Sequence, residues 1–425
     1  MSYVRRVCVP IAVLLLASAG WIPAQEISLV PPSEIGLSED RLERINDVMD
    51  DYIEAKKVAG TITLVARAGE VAHLGVHGMQ DVEAGKEMQT DTIFRIASMT
   101  KPVTSVAVIM LFEEGRFLLT DPVSKYLPEF KDMRVLKDGS SDETEPAKRP
   151  ITIEHLLTHT SGLSYHWDPR LGDRYKAAGV SHGLIEDEKT IAEGIKALAA
   201  LPLLHHPGDK FTYSLSIDVL GRLVEVWSDM TLDEFFQERI FDPLEKEDTS
   251  FFLSEEKVGR LAAVYQREED GPIRRTGPGP QPGEYGMAHS VTYPYEGSKS
   301  YYSGGGGLLS TIGDYYRFAQ MILNGGELEG ERLLSRKTVE LMTSDHVGDL
   351  QERGFGLGFS VERDAREFGG LGSKGTHGWG GYFSTSFFID PEEELIGIYM
   401  SQLNPSGGLD LAAKFRVLAY QSIAD

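Results

Sequence analysis

Phe94-Arg95-Ile96-Ala97-Ser98-Met99-Thr100-Lys101-Pro102-Val103-Thr104 is the stretch on which the fold turns. Ser98 and Lys101 stand three residues apart at the start of a helix, and that separation puts a hydroxyl and an amine one turn apart on one face. They can share a proton. An unassisted serine is a poor nucleophile near neutral pH, and an adjacent lysine can serve as its base. The helix continues with Val103, Val106, Ala107, Met110 and Leu111 and stops at Gly115. A helix this apolar belongs in the interior, where an idle lysine would be costly. Its N-terminus also offers an N–H that can help hold an oxyanion. Taken alone, Ser-x-x-Lys equally fits a capped helix with a surface lysine, so the rest of the chain has to decide.

Upstream, Ser38-Glu39-Asp40-Arg41-Leu42 predicts a helix capped by Ser38, with acids in the first turn and Leu42, Ile45, Met49 and Ile53 along one face. Residues 61–66 and 71–78 read as two strands joined by the turn Ala68-Gly69-Glu70. Downstream of Gly115 the chain changes character. Residues 116–303 hold Pro/Gly-rich loops, a charge run at 137–149, helical stretches at 190–201 and 216–228, and a surface loop at 271–283. After the glycines 304–307, helical spacing returns at 312–324. Strands are expected at 354–362, 384–389 and 395–401, and a helix at 409–423. The expected organisation is an α/β lobe from residues 26–115 and 304–425, with one sheet built from both termini, and an inserted, mostly helical lobe at 116–303.

Its 425 residues exceed what one core usually organises, in line with more than one lobe. With 65 Asp+Glu against 42 Lys+Arg the chain is acidic, and no segment gathers enough cations to neutralise a run of phosphates. Nucleic acid is excluded as a natural partner, and an anionic lipid surface fits little better. The single cysteine, Cys8, lies in an apolar stretch from Val7 to Ala19 that follows Arg5 and Arg6. That pattern, with Ala17-Ser18-Ala19 and Pro23-Ala24-Gln25 as cleavage points, predicts a signal peptide over residues 1–25 and an exported, periplasmic or secreted protein. After cleavage no stable membrane span and no cysteine would remain, so neither disulfides nor thiolate metal sites are expected.

Residues 94–104 resemble the first active-site motif of class C β-lactamases and related serine esterases. Three further stretches agree. Leu156-Leu157-Thr158-His159-Thr160-Ser161-Gly162-Leu163 resembles a structural signature of that superfamily. Pro207-Gly208-Asp209-Lys210-Phe211-Thr212-Tyr213-Ser214 resembles its second motif, and residues 304–314 resemble its return to the α/β lobe. The resemblance implies a β-lactamase/transpeptidase-like fold, an antiparallel sheet flanked by helices with an inserted helical lobe. It also implies that Tyr213 is the third catalytic group beside Ser98 and Lys101. β-Lactamases continue Tyr-x-Asn where this chain has Leu215, and they carry Lys-Thr-Gly where it has His377-Gly378-Trp379-Gly380-Gly381. Trp379-Gly380-Gly381 is similar to the Trp-Gly-Gly of family VIII carboxylesterases. By the same resemblance the backbone N–H groups of Ser98 and Tyr382 form an oxyanion hole. His377, Trp379, Gly380, Gly381 and Leu215 are expected to touch substrate, with Tyr165 and Trp167 as further aromatic walls. The implied activity is hydrolysis of small carboxylic esters, with β-lactams or peptides ending in D-amino acids as runners-up. No metal or organic cofactor is implied, and the oligomeric state stays open.

Two other readings compete. His155 and His159 stand four apart and could share one helical face for zinc, and His205-His206 invite the same thought. The first pair lacks the acid directly after the leading histidine that metal proteases carry, and adjacent residues on an extended chain point to opposite sides. The glycines 304–307 lack the Lys-Ser or Lys-Thr that a phosphate loop needs. From another class, a non-catalytic cell-wall or ligand-binding protein could retain such a fold, but it has no need of Ser98, Lys101 and Tyr213 together.

Overall fold

The computed structural model describes residues 27–425 except 139, 141, 270 and 365–369, so the signal-peptide pattern and Cys8 lie outside the described residues. Its centre is β1 (Gly60–Arg67), buried along almost its whole length because helices cover both of its faces. Alternation along the strand sorts its side chains. Ile62, Leu64 and Ala66 enter the main core, while Val65 enters a smaller one on the opposite face. The hairpin partner is β2 (Glu70–Asp81), followed by the short β3 (Lys86–Glu87). The C-terminal part supplies β4 (Gly354–Phe355), β5 (Ser360–Val361), β6 (His377–Gly381), β7 (Thr385–Asp390) and β8 (Leu395–Met400). Together they form one antiparallel sheet in the order β4-β5-β6-β7-β8-β1-β2-β3. β1 joins the two ends of the chain, with Leu64 opposite both Leu74 and Ile398.

On one face lie α1 (Glu39–Glu54) and the C-terminal helix 411–420, which bury Leu42, Ile45 and Met49 against Leu411, Phe415 and Ala419. Ser38 takes the N-cap position of α1 without a side-chain cap bond. On the other face the helix 312–323 packs against β1, β7 and β8, and the same core takes in α2 (Thr100–Glu113), buried without a break from Thr100 to Leu111. It begins two residues later than Ser98, which sits in a separate 3-10 turn, Ala97–Met99. Beyond α2 come α3 (Ile153–Leu157), α4 (Ile191–Ala199) and α5 (Ser216–Ser228), then α6 (Ile312–Leu323) and α7 (Leu411–Tyr420). α5 packs on α2, and one continuous core takes residues from both parts of the chain.

Two sequence expectations are corrected, and one strand was not expected. Residues 116–303 contain helices, but long loops and strand pairs of two or three residues take up much of the segment, so it is less helical than expected. The strand expected over 354–362 is two short pieces broken at Gly358, whose φ of +93° allows the chain to pass against Ser105 on α2. β6 escaped periodicity altogether, because three of its five residues are glycines with no side chain to alternate. Among the described residues no helix is long and apolar enough to cross a membrane.

Candidate active site

Ser98 is presented by a tight turn. The pair Phe94–Arg95 is zipped to Leu309–Ser310, and the Gln402 amide group bonds both the N–H and the C=O of Arg95 at 3.1 Å. Ala97 then takes a left-handed φ of +42°, a conformation that costs a non-glycine residue of order 1 kcal/mol and persists only where the surroundings enforce it. Lys101 follows in the first turn of α2, 1% exposed. Its Nζ donates to Ser98 Oγ at 3.1 Å and to the Gly305 carbonyl at 2.5 Å. Tyr213 comes from the opposite side and donates its phenolic O–H to Ser98 Oγ at 2.8 Å. The structure therefore brings Ser98, Lys101 and Tyr213 into one corner, with the lysine Nζ 4.7 Å from the Tyr213 ring centre.

The Leu156–Leu163 motif turns out to be the mount of Tyr213. His159, at φ +53°, accepts the Thr212 N–H on its carbonyl and the Ser214 N–H on Nδ1, at 2.8 and 3.2 Å, which leaves the ring proton on Nε2. Its ring lies 4.7 Å from that of Tyr213. Burial first, and the Lys101 charge second, hold this imidazole well below its ordinary pKa, so it is neutral packing. Ser161, Ser216 and Ser214 join by hydroxyl contacts of 2.8 Å and lock this loop to the start of α5.

The glycines 304–307 thread between α2 and α5. Thr104 and Lys101 on α2 donate to the carbonyls of Gly304 and Gly305, while the Gly305 N–H reaches Asp218 on α5 at 3.3 Å. A Cβ on Gly305 would collide with the Asp218 carboxylate, and one on Gly304 would lie 2.8 Å from the Ile217 carbonyl. The sequence reading passed over Asp218. An acid set among Ile217, Val219 and Leu220 at the start of an apolar helix was the signal that could have found it.

A cleft of about 740 Å³ opens from Ser98. Trp379 forms one wall, its ring 5.5 Å from that of Tyr213 and its indole N–H 3.4 Å from the phenol oxygen. Tyr165 and Trp167 form another, stacked at 4.4 Å. Gly380 and Gly381 line the same cleft. A Cβ on Gly381 would stand 2.5 Å from the Ile96 carbonyl oxygen, so the end of β6 lies directly against the turn that carries Ser98. Tyr382 follows at that junction, its phenol turned away to donate to the carbonyls of Glu284 and Met287. Two expected contacts are revised. Leu215 is 1% exposed, part of the core and not of the cleft lining. His377 borders the cleft, but its ring is buried against Phe359, with Nδ1–H donating to the Gly375 carbonyl at 3.0 Å, so it offers substrate little surface.

The paired histidines have structural roles. α3 ends at Leu157, so His155 and His159 do not share a helical face. His155 closes the capping box with Thr152. His205 bonds Thr212 and the His206 carbonyl, and His206 pairs with Glu145. Among the described residues no group of three or more His, Cys, Asp or Glu is placed to hold a metal ion.

Comparison with known proteins agrees with this geometry. The β-lactamase family description matches residues 45–421. The chain is 38% identical over 382 residues to Rv1367c of Mycobacterium tuberculosis, spanning 85% of this chain and 90% of that one. It is 34% identical over 357 residues to the esterase EstB of Burkholderia gladioli, spanning 82% and 86%. Among solved structures, EstCE1, described as a hydrolase with promiscuous acyltransferase activity, superposes with a TM-score of 0.79 at 27% identity, covering 91% of this chain and 98% of its own.

Proposed function

Since the chain belongs to the β-lactamase family, and its homologues of this fold are esterases and acyltransferases, we propose that this hydrolase cleaves small carboxylic esters through an acyl-enzyme on Ser98. The observation that carries the proposal is the double contact at Ser98 Oγ, with Lys101 Nζ at 3.1 Å and the Tyr213 hydroxyl at 2.8 Å. Ser98 Oγ attacks the ester carbonyl while its proton passes to the Lys101–Tyr213 pair. The carbonyl oxygen gains charge and is held by the N–H groups of Ser98 and Tyr382. As the tetrahedral centre collapses, the C–O bond to the alcohol breaks and the pair returns the proton to the departing oxygen. Water then attacks the acyl-enzyme by the same route, giving the acid and free Ser98.

Two features favour a neutral ester over a β-lactam. Where β-lactamases present the cation of Lys-Thr-Gly, this chain has His377, whose pKa burial pushes down to about 4, so the ring carries no charge near neutral pH to pair with a substrate carboxylate. The walls around Ser98 are aromatic, which suits an apolar acyl or alcohol group. Export from the cytoplasm is part of the proposal and rests on the N-terminal sequence pattern.

The test compares short-chain p-nitrophenyl esters, nitrocefin and a D-alanyl peptide on purified protein, with Ser98→Ala as control and EDTA in a parallel series. Ester turnover that survives EDTA and is lost by at least about 1000-fold in the variant is the expected result. Nitrocefin hydrolysis at a comparable rate would overturn the substrate class. An unlabelled Ser98 after fluorophosphonate treatment would leave a binding protein in place of an enzyme.

A further inference from the structure

The Lys101 amine has almost no access to water, and among the described residues it forms no ion pair. A positive charge formed on it at that depth needs a compensating charge or dipole. One carboxylate lies behind it. Asp218, on the first turn of α5, is 1% exposed and accepts from the Ser303 hydroxyl at 2.6 Å and the Gly305 N–H at 3.3 Å, both on Oδ1. Oδ2 is buried with no hydrogen-bond partner among the described residues. Gly305 thus stands between the amine and the carboxylate, its carbonyl receiving the lysine and its N–H given to the aspartate. The lack of a side chain at Gly305 is what permits the approach, since a Cβ there would overlap the carboxylate. Burial pushes the Asp218 carboxyl up from its ordinary pKa, while the Ser303 hydroxyl, Lys101 and the Gly305 N–H pull it back toward the ionised form, helped by the α5 N-terminus.

We propose that Asp218 is a positioning residue for the reaction, which holds the Gly305 carbonyl on Lys101 and supplies the counter-charge for the ammonium present once the Ser98 proton has left. The inference rests on the acyl-transfer mechanism proposed above. It assigns the aspartate no contact with substrate. Its contribution grows during the step, because positive charge at Lys101 develops as the oxyanion forms, and a fixed anion in a water-poor site is worth most at that moment. Substrate binding itself is untouched, since Asp218 is absent from the cleft lining.

Asp218→Asn keeps the shape and an acceptor for both donors while removing the charge. On a p-nitrophenyl ester that the wild type turns over, kcat should fall roughly 10- to 100-fold with KM within about twofold, and the rate of fluorophosphonate labelling at Ser98 should fall in step. Ser303→Ala, which removes one donor and leaves the charge, should lower kcat by less than about fivefold. An Asp218→Asn enzyme with more than half the wild-type kcat, or one whose loss lies in KM, would overturn the proposal. If that variant does not fold, Asp218→Glu decides: folded and fully active, it would overturn precise placement through Gly305, while folded with reduced kcat and unchanged KM it supports it. Wild-type protein that neither hydrolyses esters nor labels would instead sink the acyl-transfer mechanism, and this inference with it.

Discussion

The corner that holds Ser98 and the mouth of the same cleft are built by different physics. At the corner, Lys101 and Asp218 are each 1% exposed, and Ser98 Oγ, Lys101 Nζ and the two ends of Gly305 are placed by hydrogen bonds from α2, α5 and the glycine segment. At the mouth, Tyr165 stacks on Trp167, and Tyr285 leans 5.6 Å from Trp167 while 72% exposed, on a left-handed turn at φ +56°. A polar corner depends on single atoms at fixed distances. An aromatic mouth depends on area. Changes at the first should therefore act on the chemical step whatever the substrate, and changes at the second should act in proportion to the substrate's apolar size.

The sharpest test of that contrast is Tyr213→Phe, which keeps the ring against His159 and Trp379 and removes one oxygen. A loss in kcat of roughly 100- to 1000-fold with little change in melting temperature is expected in steady-state kinetics and thermal unfolding. Gly381→Ala comes next. Its Cβ would meet the Ile96 carbonyl oxygen at 2.5 Å and push β6 from the nucleophile turn, so kcat/KM should drop roughly 10- to 100-fold on every ester tried. Trp167→Ala should raise KM about 5- to 20-fold for a bulky or aromatic ester and change kcat on an acetate ester less than twofold. Equal losses on both substrates would erase the distinction between corner and mouth.

The smallest effect is on stability with pH. Burial holds His377 at about 4 and His159 well below its ordinary 6.5, so both are neutral in the fold, whereas the unfolded chain takes up their protons near 6.5. The His377 contribution is complete above the unfolded value and is lost as the pH falls through 6.5 toward about 4, and that of His159 changes in the same direction. Melting temperature should decline over that window. A flat profile would mean that these rings gain protons without opening the corner.

Much of this arrangement is legible along the chain because it is local. The 3.6-residue spacing at 39–54 and 100–113, the Ser98–Lys101 separation, and the β-branched strands around 61–66 and 71–78 depend on near neighbours only. The family motifs carried further than spacing did, since they pointed to Tyr213, which lies 115 residues from Ser98. β6 was hidden by its glycines. Leu215 was misplaced because a motif position gives no direction for its side chain, and the helix that starts at Ser216 turns it into the core.

The sequence by itself determined which residue types can perform acyl transfer, where the apolar helix after Ser98 begins to bury them, and that both ends of the chain supply strands. Tertiary structure alone decided that Gly305 receives Lys101 on one side and Asp218 on the other, that His159 supports Tyr213, and that β6 lies against the serine turn. These are contacts between segments 55 to 285 residues apart. No periodicity records such distances, because they are set by how the helices and the sheet close on one another.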